Sequence, residues 1–336
     1  MSYLVPALTA SALNQTDPLA SILKAAGDSL RLEILRLLAR DSLGVSELSR
    51  LFGTKQSGMS HHLKVLSNAE LVVSRREGNS IFYRRALPRP QQDHFALLQS
   101  LFISIDQTVI SSTTLAGLTI IQDERAITSR EFFANNAEKF RAQQDLIACY
   151  PAYADAVVDM LDLTSWSKKN IALEIGPGEG EFIEPLSQRF GKVIALDNSA
   201  SMLDKAQRFC QQQKLNNIDF IHGDTQSALA KQASADCVVI NMVLHHTPSP
   251  ASVIQDASSL LADDGVLLIT ELCHHDQQWA MQACGDVWLG FDPDDLINWA
   301  KMAKLQKGHS QYMALRNGFQ IQIHQFFKTT MSTIAH

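Results

Sequence analysis

The carboxy-terminal half of the chain repeats one pattern five times: a short apolar strand followed by a helical stretch. The strands are predicted at Ile171–Ile175, Lys192–Leu196, Asp219–Ile221, Cys237–Ile240 and Val266–Thr270. Alternation of this kind is typical of a parallel, doubly wound α/β sheet. The carboxyl ends of the strands then meet at one edge, which is where such sheets bind ligands.

Acidic and glycine residues are concentrated at that predicted edge. Glu174 is followed at once by a glycine-rich turn, Gly176–Gly180, while Asp197 and Asp224 follow the second and third strands and Asn241 follows the fourth. Glycine permits a tight turn and lets a ligand approach the backbone. A carboxylate at the end of the second strand suits the hydroxyls of a ribose. The pattern therefore predicts a nucleoside site.

A nicotinamide-dinucleotide site is the competing interpretation. Its fingerprint requires G-x-G-x-x-G, with a pyrophosphate at the helix amino end. Here the spacing is G-x-G-x-G, and Glu179 and Glu181 would place negative charge where phosphates bind. Both features disfavour a dinucleotide.

The charge is distributed unevenly along the chain. The net charge is −6, yet residues 1–90 contain 12 basic and 7 acidic residues (+5), and the remainder contains 17 and 28 (−11). A basic amino-terminal region favours DNA contact, because neutralising phosphates supplies most non-specific affinity. No apolar run approaches the roughly 20 residues of a membrane helix. We expect a cytoplasmic protein with no membrane partner.

The basic region has the pattern of a helix-turn-helix. A short helix is predicted at Val45–Phe52 and ends at Gly53, and a second helix, Ser57–Leu66, follows. The second helix turns apolar residues to one face and leaves Ser57, Ser60, His61 and Lys64 on the other. It suits the major groove of DNA. An ordinary helical hairpin with a solvated face is the alternative from this segment alone.

A β-hairpin follows these helices. Leu71–Arg76 and Ser80–Arg85 are predicted strands joined by a turn at Gly78 and Asn79. The hairpin has four arginines, at positions 75, 76, 84 and 85. Such a wing is able to reach phosphates or the minor groove.

The runs SLRLEILRLL, SGMSHHLKVLSNAELV and SRREGNSIFYRR resemble the ArsR/SmtB family of winged-helix repressors across residues 19–87. The resemblance implies a homodimer on double-stranded DNA with an inverted-repeat operator, its second helix reading bases and its wing flanking them. The DNA-binding residues expected on this basis are Gln56, Ser57, Ser60, His61, Lys64, Arg75, Arg76 and Arg84.

Metal sensing does not carry over from that family. The family's cysteine pair would fall on VSELSRLF, which has no thiol. Asp93 and His94 are adjacent, so they lie on different helical faces and do not form the alternative ligand set. We predict no metal site.

After the wing, apolar residues recur at helical spacing at positions 95, 98, 102, 105 and 109. This seam predicts a dimer interface, with packing inward on its own domain as the alternative. Residues 111–122 are interpreted as a connecting stretch of uncertain shape. A polar-aromatic helical pattern runs from Ser129 to Tyr150.

The runs LEIGPGEGEF, VIALDNSASML, FIHGDT, ADCVVINMVLHH and LLADDGVLLITE resemble class I S-adenosylmethionine-dependent methyltransferases over residues 129–330. The resemblance implies S-adenosylmethionine or S-adenosylhomocysteine as ligand, with the segment Ser129–Tyr150 lying over it. Glu174 and Gly176, Gly178 and Gly180 are expected near the methionine part and ribose. Asp197 would bind the ribose hydroxyls, Met202 the adenine ring, and Asp224 the adenine amino group. Asn241 completes the expected set.

The family pattern also predicts a helix at FDPDDLINWAKMAKL and an antiparallel strand pair at HSQYMALRNGFQIQIHQFF. The predicted fold is thus a mainly helical winged helix-turn-helix followed by a doubly wound Rossmann-like α/β domain. We expect a DNA-binding domain at 1–90, a dimerisation helix and linker at 91–128, and the methyltransferase domain at 129–330.

Catalytic residues are not identified by the sequence. Methyl transfer depends mainly on alignment and desolvation of an existing nucleophile. His245 and His246 are weak candidates for a base, and capping or lining the entry to the next helix is the simpler interpretation. His274, His275 and Asp276 are neighbours that do not easily converge on one ion. Cys149, Cys273 and Cys284 are not spaced as the thiol set that arsenite methylation requires.

Two functions follow. In the first, the methyltransferase fold senses an adenosyl ligand and reports it to the DNA-binding region, as in methionine-cycle regulators that this architecture resembles. In the second, the protein is an active methyltransferase for an unidentified small molecule, with an attached DNA-binding module.

Overall fold

The computed structural model describes residues 17–77 and 80–328, and the chain divides into two compact units, Met1–Ile121 and Gln122–His336. The predicted turn residues Gly78 and Asn79 lie outside the described residues. Every helix of the described ranges is too short or too polar to cross a membrane.

The first unit, here called the head, is mainly helical. Its elements are α1 (Asp17–Ala26), α2 (Ser29–Leu37), β1 (Leu43–Gly44), α3 (Val45–Leu51), α4 (Gln56–Asn68), β2 (Val72–Glu77), β3 (Ser80–Arg85), α5 (Phe95–Asp106) and the start of α6 (Ser112–Ile147). The strands form an antiparallel sheet in the order β1-β3-β2. The helix-turn-helix and hairpin predictions are confirmed.

Local chemistry sets the boundary between α1 and α2. Asp28 caps α2 by accepting a hydrogen bond from the backbone N of Arg31 at 3.0 Å, and this bond is the main cause of the lowered pKa of Asp28. The Arg31 side chain donates to the carbonyl of Ala25 at 2.7 Å, near the end of α1. Likewise Gly53, at φ +61°, takes up the left-handed conformation just after α3.

Helix α5 packs mainly on its own unit. Leu98, Phe102 and Ile105 are buried in the head's hydrophobic core, whereas Val109 lies beyond the helix and is 95% exposed. These three residues therefore pack on their own domain, which is the alternative interpretation of the apolar seam, and do not form the predicted dimer interface. Their side chains are committed to the core, so a dimer contact would have to use other residues.

Helix α6 is continuous from Ser112 to Ile147, and the boundary between the two units falls within it. The connecting stretch at 111–122, whose shape the sequence left open, is helical from Ser112 onward. Burial of Leu118 and Ile121 in the head core supplies the apolar contacts that favour helix there.

The second unit is a layered α/β domain. After a 3-10 turn (Tyr150–Ala152), its elements are α7 (Ala154–Leu163), β4 (Ile171–Ile175), α8 (Ile183–Ser187), β5 (Lys192–Asp197), α9 (Ala200–Gln212), β6 (Ile218–His222), α10 (Thr225–Ala230), β7 (Ala235–Asn241), a 3-10 turn (Leu244–His246), α11 (Pro250–Leu260), β8 (Leu261–Leu272), α12 (Trp279–Cys284), α13 (Pro293–Met302), β9 (Leu305–Ala314) and β10 (Gln320–Lys328).

The seven strands are ordered β6-β5-β4-β7-β8-β10-β9, and β10 runs antiparallel to both its neighbours while the other pairs are parallel. All five predicted parallel strands and the antiparallel pair are confirmed. The order reverses between β4 and β7, which places a ligand crevice at the carboxyl ends of these strands. One difference concerns β8, which begins at Leu261 with irregular pairing, where a turn was expected.

Candidate functional site

Helix α4 presents a polar face to solvent. Met59, Leu63 and Leu66 are fully buried. The predicted base-reading residues are all exposed, and they are Gln56, Ser57, Ser60, His61 and Lys64. The helix thus has the division between core face and polar face that major-groove recognition requires.

The wing separates its four arginines by the register of its strands. Arg75 pairs with Phe82 and Arg84 with Val73, so Arg75 and Arg84 project from the same face of the hairpin. Arg76, on the other face, is exposed. Arg85 is also on that other face but is held inside the head, with a side chain only 9% exposed. Of the four arginines, Arg76 is thus exposed, Arg75 and Arg84 are half-buried, and the Arg85 side chain is withdrawn from solvent.

The second unit contains a cavity of about 900 Å³ at the carboxyl ends of its strands. Seven of the eight predicted ligand-binding residues border it, namely Glu174, Gly176, Gly178, Asp197, Met202, Asp224 and Asn241. The fold therefore brings together, in one concave site, residues that are spread over nearly 70 positions of sequence.

Gly180 is the exception and does not border the cavity. It adopts φ +93°, and a Cβ there would lie 3.0 Å from the Cα of Ala206 in α9. Its role is close packing of the loop on a helix. Gly176, by contrast, borders the cavity at φ +66°, and a Cβ there would lie 2.6 Å from a methyl group of Val243. Both positions require glycine for steric reasons.

Glu174 and Asn241 place buried polar groups in the cavity wall. Burial raises the pKa of the Glu174 carboxyl to about 8, although the nearby Asn241 side chain acts to lower it, and the charge of Asp197 adds to the rise. Within the described residues, neither Glu174 Oε2 nor the Asn241 amide has a hydrogen-bond partner of ordinary geometry. Buried polar atoms without partners are rare in folded proteins, so their presence in a cavity wall points to a polar ligand.

Asp197 and Asp224 are oriented by the helices that follow them. Asp197 accepts a hydrogen bond from the backbone N of Ser199 at 2.8 Å, and burial raises its pKa to about 6. Asp224 caps α10 by accepting from the backbone N and hydroxyl of Ser227 at 2.8 and 2.7 Å. Burial acts to raise the pKa of Asp224, but these hydrogen bonds outweigh it and leave the pKa lowered.

The acids of the glycine loop are paired with cations. Arg141 of α6 contacts Glu179 at 3.2 Å and Glu181 at 2.7 Å, and Lys205 contacts Glu179 at 2.8 Å. These cations partly neutralise both carboxylates, which therefore repel a phosphate less strongly than the sequence alone indicates. The glycine spacing still disfavours a dinucleotide.

Helix α6 and the turn after it supply a wall of the cavity that contains Phe133, Arg141, Tyr150 and Tyr153. Tyr150 donates a hydrogen bond to the carbonyl of Glu181 at 3.3 Å. Only the polar-aromatic pattern of Ser129–Tyr150 signalled this wall in the sequence.

The two histidines after β7 differ in environment. His245 is fully buried, does not border the cavity, and its Nδ1 lies 2.5 Å from Glu271 Oε1. Burial opposes protonation, but the charges of Glu271 and Asp286 outweigh it and raise the pKa of His245 to about 9. His246 borders the cavity and packs edge-on against Phe133, with ring centroids 5.0 Å apart. Burial lowers the pKa of His246 well below its ordinary value.

The other side chains considered from sequence do not assemble. His274 Nε2 lies 3.8 Å from an oxygen of Asp276, which is fully exposed. Burial raises the pKa of Cys273 to about 11 and of Cys284 to about 12, so neither is a ready thiolate. In the described ranges, the group of side chains with metal-ligand spacing is instead His245, His246 and Asp286.

Two family matches divide the chain as the fold does. Residues 28–74 match the family described as bacterial regulatory protein, arsR family, and residues 173–269 match the family described as methyltransferase domain.

Individual relatives match one part of the chain each. An arsenical resistance operon repressor of Staphylococcus aureus is 44% identical over 66 residues, 20% of this chain and 64% of that protein. A demethylmenaquinone methyltransferase of Lactococcus lactis is 30% identical over 118 residues, 34% of this chain and 45% of that enzyme. The chain thus spans less than two thirds of either relative. Among solved structures, the N-methyltransferase NodS of Bradyrhizobium japonicum aligns with a TM-score of 0.48 and 16% identity, covering 60% of this chain and all of NodS.

The fold and the family matches define a winged helix-turn-helix followed by a Rossmann-like methyltransferase domain. The chain is a fusion of an ArsR-family DNA-binding domain, within residues 28–74, with a class I methyltransferase domain, within residues 173–269.

Proposed function

We propose that this chain is a transcriptional regulator in which the methyltransferase domain binds S-adenosylmethionine or S-adenosylhomocysteine and thereby changes the DNA affinity of the head. The observation that carries the proposal is helix α6. Its first turns bury Leu118 and Ile121 in the head core, and later turns contribute residues such as Ser129 and Phe133 to the cavity wall. A ligand that reorders the wall acts on a helix that is also part of the head.

The cavity chemistry supports an adenosyl ligand. Asp197 would accept hydrogen bonds from the two ribose hydroxyls, and Asp224 from the adenine amino group. Met202 would pack on the adenine ring. The buried Glu174 oxygen, with Asn241 beside it, would accept a hydrogen bond from the polar methionine part of the ligand. Gly176 and Gly178 would let the ligand approach the loop.

The head would bind an inverted-repeat operator as a homodimer. Ser57, Ser60, His61 and Lys64, with Gln56, would face base edges, while Arg75, Arg76 and Arg84 would contact phosphates. Because the apolar face of α5 is buried in its own unit, the dimer contact would use exposed apolar residues such as Leu23, Ile103 and Val109.

An active methyltransferase is the second candidate, and one observation favours it. His246 and Phe133 border the same cavity in contact with each other. They offer an acceptor a neutral imidazole and an aromatic surface, which is what deprotonation and alignment of a small nucleophile require.

The deciding experiment measures operator affinity of the full chain with and without each adenosyl ligand, for wild type and Asp197→Ala. A ligand that binds both DNA states equally shifts nothing. We expect at least one ligand to change wild-type operator affinity by about 5- to 150-fold, the usual range of allosteric coupling. Asp197→Ala should lose the response and keep ligand-free DNA binding. Indifference of the wild type to both ligands would reject the sensor in favour of the enzyme.

A further inference from the structure

A buried cluster of side chains lies beside the cavity, and of its members only His246 enters the second candidate function. Its members are His245 and His246, on the 3-10 turn after β7, and Asp286, which follows α12. One potential ligand atom from each lies within 4.8 Å of the others, and all three side chains are buried. We propose that this cluster, the His-His-Asp cluster, is a binding site for a divalent transition-metal ion, with Zn²⁺ the expected occupant.

The first support is the orientation of His245. The carboxylate of Glu271 accepts hydrogen bonds from the backbone N of His245 at 3.1 Å and of Leu272 at 2.7 Å, and it lies 2.5 Å from His245 Nδ1. Because the carboxylate already accepts these bonds, His245 Nδ1 is the nitrogen that keeps its proton. A histidine held by a carboxylate at one nitrogen and presenting the other is the usual arrangement of a metal ligand.

The second support is the state of the opposite nitrogen. His245 Nε2 is buried and has no hydrogen-bond partner within the described part of the chain. Asp286 Oδ1 lies 3.9 Å from it, which is too long for a hydrogen bond. This nitrogen is therefore directed into the cluster without a hydrogen-bond partner, and a metal ion would bind it by displacing its proton.

Distances within the cluster suit a small ion. His246 Nδ1 lies 3.6 Å from Asp286 Oδ1 and 3.4 Å from the carbonyl oxygen of Gly285, a contact that an ion at this nitrogen would replace. Ligands of tetrahedral zinc are about 3.3 Å apart, given metal–ligand bonds of about 2.0–2.2 Å. The two separations from Asp286 Oδ1 need to close by less than about 1 Å for an ion to be held.

The backbone joins the two segments that provide the ligands. The carbonyl of His245 accepts hydrogen bonds from the backbone N of Val287 at 2.8 Å and of Trp288 at 3.0 Å. These bonds fix the residue after Asp286 against the turn with the histidines, so the ligand set is organised before an ion arrives.

Ligand type and position define the class of site. Because two of the three ligands are imidazoles, the set favours zinc, iron(II) or cobalt(II) over magnesium or calcium, which prefer oxygen ligands alone. Zinc sites with three protein ligands keep a fourth position for water or a substrate atom. Because His246 borders the cavity, we infer that this position would take a hydroxyl or thiol group of a molecule bound there.

The test uses the full chain, stripped of metal with a chelator and dialysed. Titration with Zn²⁺ in a calorimeter should show one equivalent bound, and Co²⁺ should give the visible absorption of a tetrahedral site. His246→Gln and Asp286→Asn should each abolish this binding. Glu271→Gln should weaken it by about 10- to 100-fold, as for other outer-shell partners. His274→Gln is the matched control and should bind like wild type.

Three results would overturn the proposal: no stoichiometric binding by the wild type, unchanged affinity in His246→Gln, or loss of binding in His274→Gln. Circular dichroism identifies a variant that has not folded. Should Asp286→Asn fail to fold, His246→Gln and the wild-type titration decide the question. None of these measurements depends on the adenosyl ligand or on DNA. The metal proposal is therefore tested independently of the proposed function.

Discussion

The guanidinium of Arg85 donates two hydrogen bonds to the carboxylate of Asp106, each 2.8 Å long. The same guanidinium stacks over the ring of Phe102, 4.5 Å from its centroid. The pair ties the base of the wing to helix α5. Arg85 is therefore a structural residue, whereas Arg75 and Arg84 share the other face of the hairpin.

This division predicts different outcomes for arginine variants. Replacing both Arg75 and Arg84 by Ala should weaken binding to all DNA sequences alike. It should reduce the slope of log affinity against log salt by about 3.6, because each phosphate contact contributes about 0.9 and a homodimer loses four such contacts. Electrophoretic or fluorescence titrations at several salt concentrations measure both quantities. His61→Ala, in contrast, should change preference at particular bases. An unchanged salt slope in the double variant would remove the wing assignment.

The control is Arg85→Ala. It breaks the pair with Asp106 and should lower the free energy of unfolding of the chain. The partly buried carboxylate then loses two hydrogen bonds and keeps an ion pair with Arg36 at 3.7 Å. We expect Arg85→Ala to lower the melting temperature. The double variant of Arg75 and Arg84 should melt at the wild-type temperature.

Glu174 should make the ligand-free protein less stable at neutral and higher pH. Its pKa rises from 4.5 to about 8 on folding, so the folded chain holds a proton between these values that the unfolded chain has released. Stability from this group therefore falls as pH rises through that window. Glu174→Gln mimics the protonated form and should gain about 1–3 kcal/mol relative to wild type between pH 5 and 8. Urea unfolding at several pH values, with Glu184→Gln as control, measures the gain, and parallel profiles for wild type and Glu174→Gln would contradict it.

Affinity for the adenosyl ligand should depend on the ionisation of Asp197. Its pKa is raised to about 6 by burial, and only the ionised form accepts hydrogen bonds from both ribose hydroxyls. Below pH 6 we expect the affinity to fall by up to about tenfold per pH unit. Calorimetric titration from pH 5 to 8 tests this. Asp197→Asn should bind weakly at all pH values with a flatter profile, and an equally steep profile in that variant would assign the dependence to another group.

Coupling through helix α6 predicts the effect of breaking it. Thr128 is exposed, and its hydroxyl donates a hydrogen bond to the carbonyl of Glu124 one turn earlier. Thr128→Pro should cost about 3 kcal/mol of helix stability at that point. We expect ligand-free operator affinity and DNA-free ligand affinity to stay within about threefold of wild type, but the response of one to the other to disappear.

Thr128→Ala, which keeps the helix, is the matched control and should respond like wild type. Retained coupling in Thr128→Pro would show that α6 does not carry the signal, and loss of coupling in both variants would point to the hydroxyl instead of the helix.

Much of the fold was predictable because its signals are local. Strand and helix periodicity and the glycines after β4 each depend on residues within one turn or strand of one another. The ends of the parallel strands also fix the site edge, so most of the predicted ligand residues meet in one cavity.

Tertiary structure decided what depends on residues far apart in sequence. Helix α6 is continuous because Leu118 and Ile121 find a core to enter, although their own segment shows no clear helical pattern. Arg85 is withdrawn from the wing by Asp106, and Asp286 meets His245 and His246 only because two loops are joined by backbone hydrogen bonds. Sequence periodicity records which face of an element is apolar. Packing between elements decides which residues cover that apolar face and which side chain neutralises a given charge. These contacts exist only in the folded chain.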